Sequence, residues 1–178
     1  MGETNMSPEV NGLPIEITFA PALRAHRGKL LSGKSGPGKE VHAAGMIRQR
    51  RIVLDAALRR KPAELKRILI HEMFHFVWVR LGNPGRRSFE KLLRREVQDR
   101  ARGELGWSAE HLKQALTRRD RVHRTRRWRE YVCESFCDTA AWLLGRVERH
   151  DEYTLAAVSR RRRAAWFELT RLTRQISV

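Results

Sequence analysis

Cysteine is almost missing from this chain: Cys133 and Cys137 are the only two in 178 residues. A disulfide scaffold is thereby excluded. The two lie four apart in a stretch of helical pattern, where a bridge would be strained, so both are read as reduced thiols. Long apolar runs are missing as well. The longest, Ile68 to Leu81, is broken by His71, Glu72, His75 and Arg80, whereas a membrane span wants about 18 uninterrupted apolar residues; no membrane partner is expected. The opening MGETNMSPEV has no basic cluster followed by an apolar run, and its sixth position is Met where a myristoylation signal needs Ser or Thr. The expected location is therefore cytoplasmic. Acidic side chains are few, 20 against 37 Lys and Arg, leaving a net charge of +17. Such a field favours polyanions and makes nucleic acid a candidate partner. Charge alone supplies only the non-specific part of such binding, and a GC-rich genome fills solvated helix faces with Arg for no functional reason.

What is present describes a globular protein, 41 % hydrophobic and 32 % charged, of a length that suits one domain of about 100 to 200 residues. Residues 1–14 read as a flexible lead-in and 15–178 as the domain. Ile15, Ile17 and Phe19 alternate with polar residues, the pattern of a half-buried strand over 15–19. The segment RGKLLSGKSGPGKE, 27–40, is rich in Gly and Lys without periodicity and reads as a mobile loop. Strands over 41–47 and 50–54 follow. From Lys61 the period turns helical, with Pro62 in the first turn, Glu64 at the positive end of the dipole, and Gly82 and Pro84 as stop. Further helices are expected over 87–102, over 108–117 with Ser108 as N-cap, over 127–144 ended by Gly145, and over 152–175. Strands first and helices afterwards predict an α+β fold: a small N-terminal, mostly antiparallel sheet packed on a bundle of about five helices. The helix beginning at 61 is apolar almost all round, so it should lie buried at the centre. Its polar residues are therefore conspicuous.

Those residues form HEMFH, 71–75, a complete H-E-x-x-H pattern. Side chains four apart stand one above the other on a helix face, so the imidazoles of His71 and His75 can converge on one tetrahedral ion. Glu72 projects beside them, able to reach a water at the metal without being a ligand. Two imidazoles and a carboxylate on a buried helix must be compensated, since an unpaired buried charge costs several kcal/mol, and one Zn2+ ion compensates all three. A catalytic zinc needs a third protein ligand. The extension H-x-x-G-x-x-H fails, because Trp78 and Leu81 stand at the required positions. His111, His123 and His150 have no local pattern to recommend them. ESFCD, 134–138, offers Glu134 as ligand and, one turn on, Asp138 to accept the spare N–H of a metal-bound histidine. Glu130, one turn earlier on the same face, and the thiolates of Cys133 or Cys137 remain alternatives.

HEMFH followed some sixty residues later by a helical E-x-x-x-D, in ESFCDTAAWLL, resembles the glutamate-zincin metallopeptidases. Their third ligand is a downstream helical Glu with an Asp four residues further. It also resembles the small intracellular zincins that cleave phage repressors or act in radiation response. The resemblance spans residues 50–144 and implies a zincin-like fold with a central active-site helix, ligands His71, His75 and Glu134, and Glu72 as general base. The substrate it implies is a peptide or protein. It further implies that the strand 50–54 is an edge strand on which extended substrate docks by strand addition. Tyr131, His150 and Tyr153 are oxyanion candidates by residue type alone.

Two other features carry less. GKLLSGKS, 28–35, satisfies the phosphate-loop pattern letter for letter. Yet Pro21 and ALRAHR part it from the nearest strand, and Gly36, Pro37 and Gly38 forbid the helix that the mechanism needs. The Arg-rich segments 86–102, 118–129 and 160–163 each read as solvated helix faces; the second has little acid to balance it and carries Trp128, and is the one expected to meet nucleic acid or an acidic protein. The competing class is thus a basic nucleic-acid-binding or protein-binding module whose zinc is structural or regulatory.

Overall fold

The computed structural model describes residues 8–33 and 35–178. The chain runs through β1 (Glu9–Asn11), β2 (Glu16–Ala20), β3 (Leu23–His26), β4 (Lys29–Ser32), β5 (Lys39–Glu40), β6 (Ala43–Met46) and β7 (Arg51–Asp55). It continues into α1 (Pro62–Arg80), α2 (Gly82–Gln98), α3 (Trp107–Gln114), α4 (Arg118–His123), α5 (Arg126–Gly145) and α6 (Ala157–Leu169), and ends in β8 (Gln175–Ser177). This is the α+β arrangement the sequence predicts, with the strands gathered into three small sheets beside the helices. Antiparallel pairs join β3 to β4 and β5, and β6 to β7; β2 runs parallel to β7, and β1 to β8. No helix among the described residues is long and apolar enough to cross a membrane.

The central sheet has the order β2–β7–β6. Ile52, Val53 and Leu54 of β7 are all buried, as suits a strand covered on both flanks. This corrects the expectation that 50–54 is an edge strand: both its hydrogen-bonding edges are taken, and the terminal strands of the sheet are β2 and β6. The segment 27–40, read as an aperiodic loop, holds β4 and β5. Arg27 and Gly28 have φ of 46° and 75° and connect His26 to its partner Lys29. Two central residues of positive φ form the turn whose twist matches a hairpin. The phosphate-loop pattern accordingly lies in a strand and its flanks, with no helix after it; its Lys34 lies outside the described residues. Of the expected lead-in, 1–7 lie outside the described residues, and Glu9–Asn11 pair with Gln175–Ser177.

Pro62 occupies the first turn of α1, where its missing N–H is harmless. α1 packs along α5, and their apolar faces merge with Phe89 of α2 and Trp166 and Phe167 of α6 in an aromatic core: Phe136 lies 5.7 Å from Phe74, 5.4 Å from Phe89 and 5.2 Å from Phe167 between ring centroids. α1 ends at Arg80, at the stop expected from Gly82 and Pro84; Gly82 takes φ 71° and a new helix, α2, opens there. The last helix is shorter than its pattern, because Thr154 and Leu155 give their N–H groups to the Glu104 carbonyl, and Leu155 packs with Leu105 and Tyr153. α4 was not expected: a capping box of Thr117 and Asp120 starts it.

Two arginine segments are less solvated than their composition suggests. Arg163 is wholly buried and bonds Glu96 (2.7 Å) and Glu104 (2.7 Å), while Tyr131 donates to Glu104 at 2.7 Å. Trp128 is wholly buried too, its indole N–H on Glu90 at 2.8 Å, and Arg94 and Arg124 share that carboxylate. Removing Arg163 strands two buried carboxylates, so Arg163→Ala should lower unfolding free energy by about 3–5 kcal/mol in urea melts. Burial alone would raise the Glu90 carboxyl, but hydrogen bonds from Arg124, Trp128 and Arg94 hold it down at about 2 from an ordinary 4.5. Between those values the folded state binds fewer protons than the unfolded one. The contribution of Glu90 is complete above about pH 4.5 and is lost toward pH 2, and Glu90→Gln should remove that slope from the acid-unfolding profile.

Candidate metal centre

The helical period puts His71 and His75 on the same face of α1, turned toward α5. Their Nε2 atoms face each other at 3.2 Å, and the Glu134 carboxylate of α5 closes the group at 3.4 Å from His71 Nε2 and 3.8 Å from His75 Nε2. Donors around a tetrahedral ion with bonds of about 2.0–2.1 Å sit roughly 3.3–3.5 Å apart. The three separations fit such an ion, as does a donor set of two imidazoles and one carboxylate.

Asp138, one turn beyond Glu134, accepts from His71 Nδ1 at 2.8 Å, which puts the proton on Nδ1 and leaves the Nε2 lone pair facing the group. Burial opposes a charge on His71, yet Asp138 and Glu134 raise its pKa well above the usual imidazole value. Burial likewise works against ionised Glu134, but the two histidines lower its carboxyl. The group therefore attracts positive charge. His75 Nδ1 faces a different neighbour, lying 3.5 Å from Cys133 Sγ and 3.5 Å from Cys137 Sγ. A hydrogen bond with Cys137 and a second with His75 bring the Cys133 thiol down to about 6 against the opposing effect of burial. Both cysteines are free.

Glu72 stands outside this donor set. Its carboxylate lies over β6, where a Cβ at Gly45 would meet Glu72 Oε2 at 3.0 Å. Glu130 is turned to solvent and pairs with Arg126 at 2.6 Å, so the structure brings Glu134 and not Glu130 to the histidines. A cleft of about 560 Å³ opens beside Glu134, lined by Glu130, Lys39, Trp107, Ser108, His111 and Leu112. Trp107 and His111, one turn apart on α3, stack on each other at its wall, 6.1 Å between centroids. Neither was singled out by sequence reasoning, since only the docking of α3 on α5 brings them there. Of the oxyanion candidates, Tyr131 is committed to Glu104 and His150 to Glu64 at 3.1 Å; the Tyr153 hydroxyl is buried without a hydrogen-bond partner among the described residues.

No family model, curated protein or solved structure matches the chain. The site is read from its own geometry.

In the segment 118–129, burial of Trp128 withdraws its indole from the surface, leaving His123 as the exposed ring there. Arg118, Arg119, Arg126, Arg127 and Arg129 are exposed there.

Gly106 leads into α3 with its Cα against Asp138, and a Cβ there would overlap the carboxylate. Gly106→Ala should therefore act like Asp138→Ala, each weakening divalent-metal retention by about 10 to 100-fold in competition with a chelator. Retention unchanged in both variants would show that Asp138 does not orient His71.

Proposed function

We propose that the chain is a zinc-dependent metallopeptidase, with His71, His75 and Glu134 as the zinc ligands and Glu72 as general base. The observation that carries this reading is the convergence of two Nε2 atoms and one carboxylate while the neighbouring Glu72 stays out of the donor set beside the terminal strand β6. Zinc bound there would polarise a scissile carbonyl and acidify water toward a pKa of about 7. The Glu72 carboxylate takes the proton of the attacking water and returns it to the leaving amine. Asp138 holds the His71 ring through Nδ1, and the absence of a side chain at Gly45 leaves room for Glu72 beside β6.

An extended peptide would dock on β6, whose outer edge ends the sheet, by backbone hydrogen bonds, with its side chains reaching the cleft of Trp107 and His111. The competing reading, a basic binding module with a structural zinc, requires a closed site of four protein ligands. The group at His71 contains three among the described residues.

Glu72→Gln separates the two. It should keep the fold and the zinc content and lower peptide hydrolysis by at least about 10² to 10⁴-fold, read with a peptide library on protein of known metal content. Turnover that persists in Glu72→Gln would exclude this carboxylate as base. A wild type that holds zinc and cleaves nothing would favour the binding module.

A further inference from the structure

We propose that Cys133, Cys137 and the Nδ1 atom of His75 form a second metal site, one that takes a soft, thiophilic ion of the Cu+ class. The proposal uses neither His71, Glu72 nor Glu134 and so does not rest on the peptidase reading.

The two sulfurs come from successive turns of α5 and the nitrogen from α1, and all three donor atoms lie within 4.8 Å of one another. Each sulfur is 3.5 Å from Nδ1. An ion with bonds of about 2.0–2.1 Å to nitrogen and 2.3 Å to sulfur places those donors roughly 3.5–3.6 Å apart when four-coordinate and roughly 3.7–3.8 Å apart when three-coordinate, within a few tenths of an ångström of the separations here. Thiolate ligands select soft ions such as Cu+ over hard ones, and a set of three donors, two of them sulfur, suits a three-coordinate soft ion. Cys137 is wholly buried and Cys133 half-buried, so the pocket excludes water, while Cys133 keeps it reachable.

The contrast within α1 points the same way. A metal-binding histidine ordinarily gives its second N–H to an oxygen acceptor, as His71 does to Asp138. His75 has a pair of thiols there instead. The second group of close donors elsewhere, Glu64, His150 and Glu152, has no such opening, because Arg67 already sits on Glu64 at 2.5 Å and on Glu152 at 3.1 Å. On binding, the ion displaces the two thiol protons to solvent, and the neutral His75 ring that ligates it through Nδ1 keeps its one proton on Nε2. The His75 ring then lies between two metal sites, hard donors on its Nε2 side and sulfur on its Nδ1 side. Soft-ion binding thus alters the ring that serves the first site.

The test is anaerobic titration of the reduced, metal-free full chain with Cu+ against a coloured Cu+ chelator, with circular dichroism confirming the fold of each variant. Wild type should take one equivalent and show thiolate-to-copper absorption in the ultraviolet, and so should the His71→Ala, Glu134→Gln double variant. Cys133→Ser, an isosteric change at a half-buried position, should weaken binding by at least about 100-fold. His75→Gln, which keeps both thiols, should weaken it measurably. The assignment fails if wild type cannot draw Cu+ from the chelator, or if binding survives in Cys133→Ser. It fails equally if His75→Gln leaves affinity unchanged, or if the His71→Ala, Glu134→Gln variant loses the ion, which would place it among the first three donors.

Discussion

A carboxylate with no access to water is expensive unless a donor meets it, and Asp138, almost fully buried at the middle of α5, meets its donor in His71 of α1 at 2.8 Å. That bond couples the two long helices at a distance of 67 residues along the chain. It fixes the ring of His71, and with it the direction of the Nε2 lone pair. It also sets the relative slide of α1 on α5, so that Glu134, one turn earlier, arrives opposite both histidines. The aromatic packing of Phe74 on Phe136 holds the helices together without choosing this register, because apolar contact is non-directional. The hydrogen bond chooses it.

A second layer of polar contacts supports the first from behind. Glu104, wholly buried, receives Arg163, Lys113 and Tyr131, and its backbone carbonyl holds Thr154 and Leu155. The same loop ends at Gly106 against Asp138. Glu152, paired with Arg67, accepts the Trp107 N–H at 3.0 Å. α3 and the cleft it lines are thus seated by ion pairs anchored on α1 and α6.

The parts of this that were legible in the sequence are those governed by local period. His71 and His75 announce themselves by spacing, Glu134 and Asp138 by the same period on another helix, and the central position of α1 by its apolar circumference. The α+β order follows from strands preceding helices. What could not be read depends on partners distant in sequence. Arg163 looks like any member of RRRR, and only Glu96 and Glu104 take it inside. Trp128 sits in an arginine run that suggests a stacking surface, whereas Glu90, 38 residues earlier, draws its indole inward. The strand at 50–54 is central because β2 and β6 flank it, a fact of sheet order that alternation does not encode. Arg27–Gly28 makes a hairpin without the Asn-Gly signal that usually marks one. The cysteines read as reduced thiols and alternative ligands for the same ion, and their place beside His75 Nδ1 exists only across the α1–α5 interface.

The terminal strand β6 bears on how copies of the protein behave toward one another. An unpaired strand edge is a template for any other extended chain, a second molecule of the same protein included, and edges are commonly guarded by lysine, proline or a bulge. Ala43, Ala44, Gly45 and Met46 carry no such guard, and a charged or bulky residue at Gly45 would press on Glu72. The protection is instead collective. At +17 two molecules repel as they approach, and that repulsion opposes the pairing of their edges. Because ions shorten the reach of that repulsion to about 8 Å at physiological strength, colloidal stability and an open edge are tied to the same variable, the salt of the surrounding medium.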